Sequence, residues 1–322
     1  VTKQQPIGII QSLSSGFDTV ARHPDLMLLP ILLDAFLWLG PRLSAYPLFR
    51  SMIDLLQVLG AEAIDSATRQ QAKAMQNMLE QAGQALNLFS WLSPTPLGVP
   101  SLMAGEPALR GPNGPPTVWQ VSNLFEFLVL FCVLSVIGLA LSAVYWSLLS
   151  SRVCEAPLSL GRIMTVWWGL FKIAVILIVL MVCIGVPTTV VASLVGSFSS
   201  GAMLVVMLMG LSVMVWALFY LMFTVHGVAL RNAAVLEAVR LSILFVQFQG
   251  LPTIGLAAIA FAIYLGLGVL WGVPPADSWL KAAAILGHAF IATGLIAATG
   301  LFYLNRVSQI VDDGRQLAAG SR

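Results

Sequence analysis

Ionisable side chains inside apolar runs are expensive to keep in a membrane, so each is a candidate for chemistry. Asp34 is the foremost. It lies ten residues after Pro24 within the run 25–40, which places it about 15 Å into a hydrocarbon core roughly 30 Å thick. No other acid falls near that midplane. A carboxylate there binds a cation or a proton, or it serves the structure by capping a backbone break near Pro30 or pairing with a polar group on a neighbouring span. His288 lies about two helical turns inside the outer end of the last apolar run. It is the second candidate for a ligand or an ion, set against the plainer reading of a hydrogen-bonded core histidine.

The other ionisable groups sit at span edges. Lys172 is placed to snorkel, His226 ends a span, and Glu126 opens one where water reaches it. His226 and His288 fall at opposite membrane faces, so they do not make one metal site. Cys132, Cys154 and Cys183 are scattered, form no CxxC, and read as core thiols rather than a disulfide framework or metal cluster. No Walker motif, GxSxG, HExxH, EF-hand loop or dinucleotide fingerprint is present. Asp312-Asp313 followed by Arg315 is a solvated acidic pair near a helix end. These residues point to no catalytic group, no cofactor and no metal.

The elements that position Asp34 and His288 follow from composition. Of 322 residues, 58% are hydrophobic and 9% charged, against roughly 25% charged in an ordinary soluble domain. Mean hydropathy is +0.91. A soluble fold cannot hide that much apolar surface, and a disordered chain needs the opposite composition. The apolar segments are continuous rather than alternating, which excludes a transmembrane β-barrel. The expected fold class is all-α: a polytopic helical membrane protein with six transmembrane helices, cytoplasmic interfacial elbow helices and one long external helical loop. Formal net charge is +2 with no basic tract, so nucleic acid is not an expected partner.

The six expected spans are 24–40, 124–149, 173–195, 202–226, 251–272 and 282–304. The first is short and recruits flanking residues or thins the bilayer. Lys and Arg orient them. Lys3, Arg22, Arg152, Arg162, Arg231, Arg240, Arg306, Arg315 and Arg322 share the side of both termini, and the two short loops opposite carry only Lys281. Both termini, including the tail 305–322, are therefore expected in the cytoplasm of a bacterial inner membrane, with loop 41–123 outside. Residues 1–23 lack the apolar core of a cleavable signal, so the first span is expected to stay as an anchor.

Residues 1–23 read as an interfacial amphipathic helix, with Ile9, Ile10, Leu13, Phe17 and Val20 on one face. The segment 231–248 repeats the pattern, and superposing the two places Leu13 on Val239, Phe17 on Ile243 and Pro24 on Gly250. A weaker version occupies 157–171. Three units, each an elbow and two spans, are the expectation. In the external loop, apolar residues recur at helical intervals over 51–92, as one bent helix or a hairpin around the polar stretch 65–71. Its apolar face needs a partner: the span ends, the membrane surface, another membrane protein or a second copy. Residues 93–116 hold Pro94, Pro96, Pro100, Pro107, Pro112, Pro115 and Pro116 and read as irregular. Gly266, Gly268 and Gly272 read as close-packing positions, and the small residues of span six make it a tightly packed central helix.

The stretch from His226 to Ile263 carries Glu237-Ala238-Val239-Arg240-Leu241-Ser242 after a span, an elbow of the form E-A-x-x-x-S. In this it resembles the YciC-like six-span bacterial membrane proteins, and the membrane domain of some glycerophosphodiester phosphodiesterases is similar. The likeness covers residues 127–273 in pattern and the elbow in letters, and the external helical loop departs from it. It implies a membrane fold without a defined activity, ligand or site. The expected function is a non-enzymatic scaffold or accessory subunit of a membrane assembly. The alternatives are a transporter or channel-like protein for a hydrophobic or lipid-like substrate, and a membrane lipid enzyme.

Overall fold

The computed structural model describes residues 7–62, 66–106, 110–155 and 157–320. Residues 1–6 of the N-terminal segment, Asp65 of the polar stretch, Pro107 and Arg322 lie outside them, as do the side chains of Asp312, Asp313 and Arg315. The chain is nearly all-α. In order it forms α1 (Ile9–Arg22), a 3₁₀ turn (Pro24–Met27), α2 (Leu28–Leu39), β1 (Arg42–Ser44), α3 (Tyr46–Glu62), α4 (Ser66–Ala85) and a second 3₁₀ turn (Leu88–Leu92). There follow β2 (Val118–Gln120), α5 (Leu124–Val153), α6 (Leu160–Gly196), α7 (Ser200–Leu221), α8 (Thr224–Arg231), α9 (Val235–Phe248), α10 (Gly250–Gly272) and α11 (Lys281–Gly320).

Five stretches are long and apolar enough to cross a membrane: Leu124–Val153, Leu160–Gly196, Ser200–Arg231, Gly250–Gly272 and Lys281–Gln309. That is the make-up of a membrane protein. Each contains or closely matches one of the expected spans from 124 onward. The expected first span, 24–40, is different. Its helix α2 has 12 residues, about 18 Å, which is shorter than the hydrocarbon core.

Several boundaries differ from the sequence reading. The elbow 157–171 and the span from 173 are one 37-residue helix, α6. Phe171-Lys172-Ile173 contains no breaker, so helix propagates through the change in polarity. The elbow 231–248 is a separate helix, α9, because Gln249 leaves helical geometry (φ −118°, ψ 30°) before α10 starts. The tail beyond 304 continues as helix to Gly320. The helical region expected over 51–92 is two helices packed as a hairpin, and it is flanked by two short strands that no periodicity announced.

The chain divides into two compact units. One comprises residues 1–21, 146–261 and 294–322. In it α1 runs antiparallel to the later part of α11. The Ile7 amide donates to Asn305 Oδ1 at 2.9 Å, Arg306 Nη2 donates to the Ile7 carbonyl at 3.1 Å, and Gly16 lies so close to Ala298 that a Cβ would stand 2.6 Å from the Ala298 Cβ. Helices α6 and α7 form a hairpin, with Gly210 against Thr188 and Gly196 against Met203. Helix α7 has no buried residue, whereas every residue of α8 from Thr224 to Leu230 is buried.

The interruption between α7 and α8 has an identifiable cause. Ser242 Oγ of α9 donates to the Tyr220 carbonyl at 2.7 Å and accepts the Phe223 amide at 3.2 Å. A side chain inserted into the helical ladder opens it there. Ala238 of α9 meets Gly227 of α8 in the same interface, and Asn232, at φ 53°, ends α8 in the left-handed conformation.

The other unit comprises residues 22–145 and 262–293. Strands β1 and β2 pair in parallel, Arg42 with Val118 and Ser44 with Gln120, and so close the base of the long loop. Helices α3 and α4 pack as a hairpin, with Gly83 against Phe49 and Tyr46. The buried Arg42 guanidinium donates to the Gln84 and Ala85 carbonyls at 3.2 and 3.3 Å, a cation at the C-terminal end of α4 where the helix dipole favours it. Asn87 Oδ1 accepts the Leu43 and Phe89 amides. The second 3₁₀ turn and the start of the Pro-rich segment then fold against α5, where Gly138 admits the backbone of Trp91 and Leu92 and the ring of Pro94.

The glycines behave unevenly. Gly287 admits the Trp271 indole, Gly294 the Phe17 ring and Gly300 the Leu230 side chain, as close packing of α11 requires. A Cβ at Gly266, Gly268 or Gly272 would meet nothing within 4 Å, so that stripe is not a packing seam here. In its apolar window α11 is 61% buried, against 0% for Ser200–Arg231.

Candidate functional site

Asp34 is on the buried face of α2, one helical turn from Pro30 and from Trp38, and is itself fully buried. Its partners come from the Pro-rich segment. Oδ1 accepts the Ser101 hydroxyl and the Met103 amide (3.0 Å), and Oδ2 accepts the Leu102 amide (3.0 Å). Ser101 Oγ in turn accepts the Ala104 amide at 3.0 Å. The carboxylate thus gathers the donors of one turn, as a capping side chain gathers the orphan amides at a helix start. Three donors on one carboxylate satisfy both of its buried oxygens. They also occupy three of the roughly four lone-pair sites that a bound cation would use.

A second polar tie lies close in sequence. Glu106 Oε1 accepts from Lys281 Nζ at 2.6 Å, and the same ammonium donates to the Trp271 carbonyl at 3.1 Å. The Lys281 side chain is 1% exposed and that of Glu106 29%. A cation at the first residue of α11 opposes that helix's dipole. The carboxylate and the carbonyl at the end of α10 offset this. Trp38 Nε1 donates to the Ala276 carbonyl at 2.6 Å, and its ring meets Trp279 edge-on at 5.5 Å. Segment 101–106 and the α10–α11 connection are thereby bound to the start of α11 and to α2.

His288 lies on α11 and is 4% exposed. Its ring meets Tyr264 at 5.8 Å between centroids. Neither ring nitrogen has a hydrogen-bond partner among the described residues. No bond among them joins His288 to Asp34, so the two sequence candidates are separate features of one unit.

Elsewhere His226 is buried, with Nε2 3.1 Å from Thr299 Oγ1 and Trp146 edge-on at 5.2 Å. Lys172 and Glu126 are exposed. Cys132 and Cys183 are exposed free thiols rather than the core thiols expected, because they lie on the outward faces of α5 and α6, while Cys154 donates to the Leu230 carbonyl at 3.7 Å. Arg162 Nη2 bonds Ser150 Oγ and the Ala229 carbonyl, so both side chains serve the end of α8. Among the described residues no group of three His, Cys, Asp or Glu is placed to hold a metal. A shallow groove on α6 is lined by Thr189, Val190, Ser193, Leu194 and Ser197. Its hydroxyls bond carbonyls of their own helix, Thr189 to Gly185 and Ser193 to Thr189 among them, which leaves no convergent set for a substrate.

Sequence reasoning missed Ser101, Glu106 and the burial of Lys281. A signal was present for Lys281, a lone cation between Trp279-Leu280 and the run Ala282 to Gly287. None was present for Ser101, which looks like any loop serine. Comparison with protein-family models, with curated proteins and with solved structures returns no match. The roles of the elbow motif therefore rest on geometry: Ala238 packs on Gly227 and Ser242 opens the α7–α8 ladder.

Proposed function

We propose that this chain is a non-enzymatic scaffold or accessory subunit of a membrane assembly, and that the hairpin α3–α4 is where a partner protein or a second copy docks. The observation that carries this is an unspent apolar stripe. Met52, Leu55 and Val58 on α3, with Met75 and Met78 on α4, are between 47% and 66% exposed. They recur at helical spacing while the hairpin's inner face is used on itself. Contiguous apolar side chains on a water-facing element mark interaction sites, and each buried Å² contributes about 25 cal/mol. The base that holds the hairpin is ordered by the β1–β2 ladder and by side-chain bonds from Arg42 and Asn87 to the backbone, so the stripe is presented from a fixed support.

The topology belongs to this proposal. The chain crosses the membrane six times, the first crossing being shared by the end of α1, the turn Pro24–Met27 and α2. Both termini are cytoplasmic and α3–α4 is extracytoplasmic, in keeping with the Lys and Arg distribution. The likeness to YciC-like proteins is part of it as well and adds no activity. A second reading, transport of a hydrophobic or lipid-like substrate, is favoured by His288, a polar group buried in α11 without a partner among the described residues. The engagement of Asp34 by Ser101, Leu102 and Met103 supports a structural duty for that carboxylate.

The test is native mass spectrometry after mild detergent extraction from the native membrane, on the natural chain and on one carrying Leu55→Glu and Met78→Glu. A stoichiometric second chain, lost in the doubly substituted protein while its thermal unfolding is unchanged, is the expected result. A chain that extracts alone in both forms overturns the docking role. Bound lipid retained by the natural chain and lost on His288→Leu would favour transport instead.

A further inference from the structure

We draw no further inference here: the strongest candidate, the buried His288 side chain of α11 beside Tyr264, belongs to the candidate site already described, and nothing in the structure shows what group it would hold.

Discussion

Asp34 and His288 are both ionisable, both buried and both set in apolar helices of one unit, yet they are treated in opposite ways. Asp34 is met by a hydroxyl and two amides from the segment 101–103. His288 is met by the ring of Tyr264, with neither nitrogen bonded among the described residues. An acid buried with both oxygens hydrogen-bonded is a fastener, because its removal strands donors that have no other acceptor. An imidazole with no hydrogen-bond partner among the described residues fastens little. Burial alone does not distinguish the two, and the inventory of partners does.

The sharpest way to break this contrast is to remove the fastener. Asp34→Ala leaves the Ser101 hydroxyl and the Leu102 and Met103 amides without their acceptor, and should cost about 4 kcal/mol. Thermal unfolding in mild detergent should show a larger fall than Glu106→Ala, Ser242→Ala or His288→Leu. Limited proteolysis should open the chain first near 101–106. An unfolding midpoint within a degree of the natural protein would mean that the Pro-rich segment is held by its apolar contacts instead.

The neighbouring ion pair adds an asymmetry. Glu106→Ala leaves the ammonium of Lys281 buried with the Trp271 carbonyl as its remaining acceptor, and should cost about 3 kcal/mol. Lys281→Met removes the charge and keeps the volume. It leaves behind a carboxylate that reaches water, so its cost should be about 1 kcal/mol. Measured by the same unfolding assay, the acid should matter more than the base, and the double substitution should cost less than Glu106→Ala alone. Equal single effects would place the pair in water and take Glu106 out of the fastening set.

A comparison of the same kind applies to the helix break. Ser242→Ala removes one donor and one acceptor from the α7–α8 junction, and should cost about 1–2 kcal/mol. Ser242→Thr, which keeps the hydroxyl, should lose less. Hydrogen exchange at the Phe223 amide reads the change directly. Protection there that survives in Ser242→Ala would mean that the ladder is interrupted for another reason.

These features were legible to different degrees. An apolar run of about 20 residues needs no tertiary partner to be read, so the spans from 124 onward follow from local sequence. So does the break at Pro24, where a ring removes an amide donor. The segment 157–171 runs into the following span as one helix from Leu160, since amphipathy describes which face is wet and says nothing about where helix stops. The break before Thr224 was invisible because its cause, Ser242, is almost 20 residues further along. Strands β1 and β2 have three residues each, too few for an alternating pattern. Asp34 stood out as an acid in an apolar run, but its partners lie 67 to 69 residues away in a segment with no periodicity. Contacts at that separation are written in the fold and in no local stretch of sequence.

The smallest expected effect is the one that sharpens the contrast most. His288→Leu replaces a buried polar ring by an apolar side chain of lesser volume. Where a buried polar group has no partner, an apolar replacement is neutral or stabilising. The lost contact with Tyr264 and the smaller volume work against it by about 1 kcal/mol. The two terms nearly cancel, so the unfolding midpoint should stay within a few degrees of the natural protein, and His288→Phe, which restores the ring against Tyr264, should raise it. A fall as deep as that of Asp34→Ala would mean that the imidazole is bonded in the membrane by a group outside the described residues. His288 would then be a fastener like Asp34. If stability holds while retention of a copurified lipid is lost, the imidazole serves a ligand rather than the fold, because a side chain that contributes nothing to stability has no structural reason to affect lipid retention.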